Sequence, residues 1–192
     1  MFDTPAGVEE ILVRRIGENE LDTVLFCKAY AVAQWEYFLE GDWDNDLVQE
    51  FAQKFLSSPG QKDGLYWPTV LGEDPSPLGP LVALAKSEGY SAKDATGKMK
   101  KVPFHGYYFK MLTTQGPYAP GGKFSYIING NMIAGFALIA YPYAYGTSGV
   151  SSFIVNQQGR VYEKNLGSQT EAIVNAMTEY NPDKTWKPVI DE

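Results

Sequence analysis

The chain of 192 residues has a single cysteine, Cys27, and a single histidine, His105. One cysteine cannot form an internal disulfide, which excludes the disulfide-rich scaffolds. Cys27 lies in a helical pattern beside Phe26 and Tyr30, so we expect a buried apolar side chain and not a reactive thiol. A lone imidazole also cannot supply the usual ligand set of a zinc site. His105 stands beside Gly106 in a predicted strand, where a structural role and a role as general base both stay open.

Long hydrophobic runs and an excess of positive charge are also missing. No apolar run reaches the roughly 18 residues that a transmembrane helix needs, so the sequence predicts no transmembrane segment in this chain. The first residues carry neither the basic leader nor the apolar core of a signal peptide. The formal net charge is −7, from 23 acidic and 16 basic residues. This balance disfavours nucleic acid and polyanionic membrane surfaces as partners.

Helical periodicity dominates the first third of the chain. Apolar residues make up 44% of the sequence and aromatic residues 14%, which is typical of a packed globular protein. A Thr-Pro start predicts a first helix that Gly17 ends, and Asn19 predicts the cap of a second helix that runs to Glu40. Apolar residues within 47–56 predict a third, shorter helix.

The second half changes to strand periodicity. Side chains alternate from Tyr107 to Leu112, and β-branched and aromatic residues dominate thereafter. Asn129 and Gly130 predict a tight turn between two short strands. Because helices come first and strands later, we predict an α+β fold in which N-terminal helices pack on an antiparallel sheet of roughly four to six strands.

The same pattern divides the chain into three segments. Residues 1–92 are predicted to form a helical and loop-rich subdomain, residues 93–103 a linker, and residues 104–192 the antiparallel sheet with a C-terminal helix. At 192 residues, these segments are expected to form one compact domain.

An acidic loop carries the only candidate metal site of the sequence. Its carboxylates have the spacing with which an EF-hand loop begins, and they are Asp42, Asp44, Asp46 and Glu50. Leu47 stands where that loop needs its turn glycine, and Gln53 replaces the bidentate glutamate. Calcium is therefore the one cofactor that the sequence suggests. The alternative is that Asp46 caps the following helix while the other aspartates are solvated.

Tyrosines provide the second candidate site. Tyr141, Tyr143 and Tyr145 alternate along a predicted strand, so a straight strand would place all three on one face. Such a face, together with His105, could bind a sugar or a partner protein. The alternative is an aromatic layer beneath the N-terminal helices.

Sequence blocks along nearly the whole chain carry a family resemblance. They are Asp3-Thr4-Pro5-Ala6-Gly7, Arg15-Ile16-Gly17-Glu18-Asn19-Glu20-Leu21, Ser58-Pro59-Gly60-Gln61-Lys62-Asp63-Gly64-Leu65-Tyr66-Trp67-Pro68, His105-Gly106-Tyr107-Tyr108-Phe109, Gly135-Phe136-Ala137-Leu138, Phe153-Ile154-Val155-Asn156 and Trp186-Lys187-Pro188-Val189. In these blocks the chain resembles a bacterial family known only as domain of unknown function 2950 (DUF2950). That family has no assigned activity, so the resemblance implies relatedness and leaves the molecular function open.

The resemblance also implies export. Members of that family usually carry a secretion signal and a further N-terminal region before the Asp-Thr-Pro-Ala-Gly block, and this chain begins close to that block. The resemblance therefore implies that these residues are the C-terminal portion of a protein exported to the periplasm or another extracytoplasmic compartment.

A second likeness concerns residues 106–163. A Gly-Tyr-Tyr-Phe strand, an Ala-x-Pro strand at 140–142, a Gly-x-x-Gly turn at 146–149 and a Gly-x-Val hairpin at 159–161 are similar to the globular sheet of type IV pilins and pseudopilins. The long apolar N-terminal helix through which pilins polymerise is missing. The likeness therefore implies a pilin-like sheet and does not imply filament assembly.

Three functions stay open at this point. The leading interpretation is a non-catalytic binding or structural module of the bacterial cell envelope, with an envelope protein or a glycan as partner. The first alternative is an envelope enzyme that acts on glycan or peptide through carboxylates such as Glu50 or Asp63. The second is a pseudopilin-like assembly subunit. The non-catalytic interpretation is favoured, because the sequence offers no recognisable pair of catalytic carboxylates.

Overall fold

The computed structural model describes residues 4–41, 43, 47–70, 72–73, 75–82 and 103–190, with side chains from residue 7 onward. The predicted linker at 93–103 falls outside this part of the chain except for its last residue. The division of the chain at this linker therefore stays a prediction.

The N-terminal part of the chain forms one helix, α1, which spans Thr4–Glu40. The predicted end at Gly17 is wrong. A glycine inside a helix costs roughly 1 kcal/mol relative to alanine, and contacts on both sides of Gly17 offset that cost. Arg15 and Asn19 both donate hydrogen bonds to carbonyl oxygens of the loop at 147–148. The two predicted helices are therefore joined without a break.

The third predicted helix, over 47–56, is also wrong, because this segment contains no helix. Its backbone groups bind partners that are distant in sequence. The N–H of Phe51 donates to the carbonyl oxygen of Met132 at 2.8 Å. The side-chain amide of Gln34 in α1 binds both the N–H and the carbonyl oxygen of Ala52, each at 2.9 Å. These long-range bonds satisfy groups that a helix would have paired locally.

Ten strands follow in the described part of the chain. They are β1 (Tyr107–Leu112), β2 (Thr114–Gln115), β3 (Phe124–Ser125), β4 (Ile127–Ile128), β5 (Asn131–Met132), β6 (Ala137–Pro142), β7 (Ser151–Asn156), β8 (Tyr162–Asn165), β9 (Glu179–Tyr180) and β10 (Lys187–Pro188). Five of them form the central sheet in the order β1-β6-β7-β8-β10, and every neighbouring pair is antiparallel. A smaller sheet has the order β3-β2-β9, in which β2 and β9 are parallel, and β4 pairs with β5. The predicted α+β fold is confirmed, with one long N-terminal helix in place of several.

Helices cover both faces of the central sheet. The ring centroid of Phe26 in α1 lies 4.1 Å from that of Phe109 in β1. The next residue of β1, Lys110, points to the opposite face, where its ammonium group donates to the carbonyl oxygen of Val174 at 2.8 Å. Val174 belongs to a second helix, α2 (Thr170–Ala176), which is the predicted C-terminal helix. Because both faces are covered, β6 is buried at every position.

The predicted turn at Asn129 and Gly130 is confirmed. Their φ angles are 52° and 96°, and they connect β4 to β5. Two positive φ angles in succession define the type I′ turn that matches the twist of a two-residue hairpin. Asparagine and glycine are the residues that reach this region at the lowest cost.

One cluster of buried side chains joins α1 to the central sheet. Tyr30 of α1 is fully buried, and its ring meets that of Phe136 edge to face at a centroid distance of 5.6 Å. Cys27, one helical turn earlier, is also fully buried, and burial raises the pKa of its thiol. The thiol therefore stays protonated and packs as a small apolar group.

A substitution at Gly149 would test how tightly this core is packed. A Cβ atom at Gly149 would overlap the hydroxyl group of the buried Tyr107. We predict that Gly149→Ala lowers the free energy of unfolding by about 1–3 kcal/mol, the usual cost of overpacking a core. Urea unfolding followed by circular dichroism measures this change. The matched control is Gly17→Ala, since a Cβ in that part of α1 has no neighbour within 4 Å and should stabilise the protein by about 0.5–1 kcal/mol. Equal effects of the two substitutions would contradict the packing described.

Candidate functional site

The three tyrosines predicted to share one face are separated by the end of β6. Tyr141 is the penultimate residue of that strand and is 1% exposed, whereas Tyr143 and Tyr145 follow the strand and are 56% and 38% exposed. Because β6 ends at Pro142, strand alternation does not continue to Tyr145. Tyr141 therefore belongs to the core, and the other two tyrosines belong to the surface.

The ring of Tyr108 lies between the buried Tyr141 and the exposed Tyr143. It lies opposite Tyr141 in the register of β1 and β6, and the N–H of Tyr143 donates to the carbonyl oxygen of Gly106 at 2.9 Å, just beyond the register. The ring centroid of Tyr108 lies 5.8 Å from that of Tyr141 and 6.0 Å from that of Tyr143. Like Lys110, Tyr108 points to the α2 side of the sheet. These three residues, Tyr108, Tyr141 and Tyr143, are called the tyrosine cluster below.

His105 lies at the same end of the sheet but on the side of α1. His105 and Gly106 have φ angles of 45° and 73°, and Phe104 and Tyr107 exchange two backbone hydrogen bonds of 2.9 Å across them. This geometry is a type I′ turn, which needs positive φ at both central residues. Nδ1 of His105 lies 2.9 Å from Oδ2 of Asp22 in α1. The imidazole thus faces α1, on the other side of the sheet from the tyrosine cluster.

Side chains of α1 also hold the loop that follows β6. Nη2 of Arg15 donates to the carbonyl oxygen of Thr147 at 3.1 Å, and Nδ2 of Asn19 donates to that of Ser148 at 2.8 Å. Asn19 follows Arg15 by one helical turn, so both side chains leave the same face of α1. The loop of residues 143–150, which carries Tyr143 and Tyr145, is therefore fastened to the helix.

Glu20 lies at the centre of this contact. Its Oε1 accepts hydrogen bonds from the N–H groups of Val150 and Ser151 at 2.8 and 2.9 Å. The hydroxyl of Tyr107 lies 3.5 Å from the same oxygen and donates to the carbonyl oxygen of Ser151 at 2.8 Å. Burial, and after it the charge of Glu20, raises the pKa of Tyr107, so its hydroxyl remains a protonated donor. The N–H groups of Val150 and Ser151 thus share one carboxylate oxygen as their hydrogen-bond acceptor.

Of the four residues in the predicted calcium site, the structure describes only Glu50. Asp42, Asp44 and Asp46 lie outside the described residues. Oε2 of Glu50 accepts a hydrogen bond from the N–H of Met132 at 2.8 Å. Within the described ranges, no group of three or more His, Cys, Asp or Glu side chains is placed to hold a metal ion. Calcium binding therefore stays a prediction.

The second carboxylate of the enzyme alternative, Asp63, is held by structural partners. Its Oδ1 accepts a hydrogen bond from the N–H of Ser58 at 2.7 Å, and its Oδ2 pairs with the ammonium group of Lys54. Burial raises the pKa of Asp63, but these hydrogen bonds outweigh burial and lower that pKa to about 2. A carboxylate with this pKa is ionised at neutral pH and is unsuited to act as a general acid.

Two open concavities lie elsewhere on the surface. One, of about 290 Å³, is lined by Ile154, Met177, Thr178, Glu179, Asn181 and Trp186. The other, of about 490 Å³, borders α2 and is lined by Ser168, Gln169, Glu171, Ala172 and Asn175. Neither is lined by His105, Glu50 or Asp63, so these concavities do not gather the side chains considered for catalysis.

Comparison with known proteins gives a family and no characterised relative. A family model described as "Protein of unknown function (DUF2950)" matches residues 1–189. No curated protein and no solved structure matches the chain. The pilin-like sheet therefore stays a prediction. Across the helices that the structure describes, none combines the length and the apolar character needed to cross a membrane.

Glu20 offers a direct test of how the loop is held. Replacing it with alanine leaves the N–H groups of Val150 and Ser151 without their acceptor. We predict that Glu20→Ala lowers the free energy of unfolding by about 1–3 kcal/mol, the cost of unsatisfied donors. It should also speed hydrogen exchange of the amides at 147–151. Glu18→Ala is the control, because it removes an exposed carboxylate from the same helix. Unchanged exchange in the Glu20 variant would show that the loop does not depend on this contact.

Proposed function

We propose a function for this chain, which belongs to the DUF2950 family: it is a non-catalytic binding module of the bacterial cell envelope that holds a glycan against its exposed tyrosines. The binding surface would consist of Tyr108, Tyr143 and Tyr145, and this set is called the tyrosine edge below. The buried Tyr141 would support it from beneath.

The exposure of Tyr143 on a rigid base is the observation that carries this proposal. Tyr143 is 56% exposed, yet its backbone N–H donates to the carbonyl oxygen of Gly106 and its neighbour Tyr108 packs on Tyr141. A large ring that is exposed but already ordered loses little conformational freedom when a ligand binds. Tyrosine is suited to this role, because its ring stacks on apolar faces while its hydroxyl forms hydrogen bonds.

The chemistry of the tyrosine edge favours a sugar over an anionic polymer. A sugar ring presents an apolar face of C–H groups together with hydroxyl groups, and a tyrosine can contact both. The net charge of −7 disfavours polyanionic ligands. Tyr145 adds a second half-exposed ring in the fastened loop, where it pairs with Gly149. Two rings on one loop can contact successive units of an oligosaccharide.

The hydrogen bonds of the candidate catalytic groups favour binding over catalysis. Glu50 and Asp63 accept hydrogen bonds from backbone N–H groups. His105 is bound to Asp22 of α1, and it occupies a turn on the opposite side of the sheet from the tyrosine cluster. An enzyme would need such groups to converge on one substrate. The location in the cell envelope rests on the family resemblance described above.

A binding measurement on a double variant tests the proposed function. Tyr143→Ser combined with Tyr145→Ser should weaken binding of a β-1,4-linked N-acetylglucosamine hexamer at least tenfold, which corresponds to about 1.4 kcal/mol. Isothermal titration calorimetry gives the affinity, and circular dichroism should report an unchanged fold, because both rings lie on the surface. Tyr118→Ser is the matched control, since Tyr118 is 65% exposed in a different loop.

Two results would contradict the proposal. One is a double variant that binds the hexamer as the unmodified protein does. The other is an unmodified protein that binds neither the hexamer nor purified peptidoglycan. If the protein then captured an envelope protein through the same tyrosines, the ligand class would be wrong while the surface would be right.

A further inference from the structure

Two tryptophans between α1 and the first strand share one cation. The ring centroids of Trp43 and Trp67 lie 5.0 Å apart, and the ring planes are inclined at 51°. The ammonium group of Lys62 lies over both rings, 5.1 Å from the centroid of Trp43 and 5.2 Å from that of Trp67. A cation within about 6 Å of an aromatic centroid is attracted by the negative face of the ring. Trp43 and Trp67 are called the tryptophan pair below.

Both rings of the tryptophan pair are fixed by the rest of the protein. Trp67 is 7% exposed and belongs to the buried core. Nε1 of Trp43 donates a hydrogen bond of 2.9 Å to the carbonyl oxygen of Tyr37, which lies in the last turn of α1. Carbonyl groups in a last helical turn have no partner within the helix, so this bond satisfies both groups. Rings that are already ordered lose little conformational freedom when a ligand binds.

The backbone of Lys62 is fixed as well, whereas its side chain is exposed. The hydroxyl of Tyr37 donates to the carbonyl oxygen of Lys62 at 2.9 Å. The next residue, Asp63, accepts a hydrogen bond from the N–H of Ser58 at 2.7 Å. Because Lys62 is exposed, its flexible side chain reaches the tryptophan pair from the solvent side. An external cation can therefore take the position of the ammonium group when that side chain moves away.

The charges around the tryptophan pair favour a cationic ligand. The rings of Trp43 and Tyr37 lie 5.7 Å apart between centroids, so the pair lies beside the C-terminal end of α1. That end of a helix carries a partial negative charge. Lys54 is neutralised by its ion pair with Asp63. In the part of the chain that the structure describes, no carboxylate pairs with Lys62, so the ammonium group is held by the two rings.

A quaternary ammonium group fits this position better than the lysine does. A lysine ammonium is a compact and strongly hydrated charge, so it loses hydration when it moves against a ring. A trimethylammonium group carries the same charge but donates no hydrogen bonds to water, and its methyl groups can contact both ring faces. Aromatic walls of this kind recognise choline and methylated lysine in proteins generally.

We propose that the tryptophan pair binds a small quaternary ammonium ligand of the choline type, and that Lys62 is a built-in competitor that occupies the site in its absence. Binding displaces the ammonium group of Lys62 into solvent. This displacement costs little, because a cation–π contact at an exposed site is weak. The site shares no residue with the tyrosine edge. It does not depend on the proposed function, and either proposal can fail alone.

A titration with choline chloride is the first test, followed through the indole N–H signals of ¹⁵N-labelled protein. The chain has four tryptophans, so Trp35 and Trp186 provide internal references. Choline should shift the signals of Trp43 and Trp67 and leave the other two unchanged. Lys62→Gln should bind choline at least tenfold more tightly than the unmodified chain, because the competing ammonium group is gone.

Lys164→Gln is the matched control for the loss of one positive charge. The ammonium group of Lys164 also lies over an indole, 5.7 Å from the centroid of Trp186, but over that single tryptophan. This variant should bind choline as the unmodified chain does. An equal gain in affinity from Lys164→Gln and Lys62→Gln would show a general effect of net charge and would overturn the proposal.

A neutral analogue separates charge from shape. The alcohol 3,3-dimethylbutan-1-ol has the shape of choline without its charge, so it should leave the signals of the tryptophan pair unchanged in Lys62→Gln. Shifts equal to those given by choline would show an apolar cleft that does not recognise a cation, and would overturn the proposal.

Removal of one ring tests the tryptophan pair itself. In the Lys62→Gln background, Trp43→Leu should weaken choline binding at least tenfold, whereas Trp43→Phe should weaken it less, because a phenyl face still attracts a cation. Circular dichroism should report an unchanged fold, since Trp43 is only partly buried. Undiminished binding by the Trp43→Leu variant would overturn the proposal. If that variant does not fold, the comparison of Lys62→Gln with the unmodified chain still decides the question.

Vesicles identify the source of the ligand, because free choline and the phosphatidylcholine headgroup carry the same trimethylammonium group. Sedimentation of Lys62→Gln with phosphatidylcholine vesicles, and not with phosphatidylglycerol vesicles, would support the site and assign it a lipid headgroup. Binding of free choline without binding of vesicles would support the site and assign it a soluble ligand. A Lys62→Gln chain in which choline in the high millimolar range shifts neither Trp43 nor Trp67 would overturn the proposal.

Discussion

The attachment of α1 to the central sheet through Glu20 is the contact on which the rest of the structure depends. One carboxylate oxygen accepts hydrogen bonds from the N–H groups of Val150 and Ser151, where the loop after β6 turns into β7. Tyr107 packs beside it and leaves no room for a side chain at Gly149. The helix, the first strand and this loop are therefore positioned together, and the position of each restricts that of the other two.

This attachment decides which surfaces remain free. With α1 on one face of the sheet and α2 on the other, β6 is buried along its whole length. Exposed aromatic and apolar side chains are found, among other places, where the strands end and on the outward side of α1. Tyr143 and Tyr145 occupy the first position, and Leu25 and Val32 are among those in the second.

The features that were predicted correctly from the sequence are those determined by neighbouring residues. The strand at Tyr107–Leu112 and the turn at Asn129 and Gly130 follow from alternation and from positive φ, so both were predicted correctly. The break at Gly17 and the helix at 47–56 were wrong, because long-range hydrogen bonds outweigh local preference there. Tyr108 was missed, since only the strand register brings it to Tyr143. The same register separates His105 from the tyrosines, because successive residues of a turn and strand face opposite sides of the sheet.

A nuclear magnetic resonance titration tests the central claim most directly, which is that a fastened loop presents the tyrosine edge to a glycan. Amide spectra of ¹⁵N-labelled protein would be recorded while the N-acetylglucosamine hexamer is added. The account predicts shifts confined to residues 106–108 and 143–149, with the amides of α1 unchanged beyond its contacts with that loop. Shifts centred on another surface, or none at millimolar ligand, would contradict it.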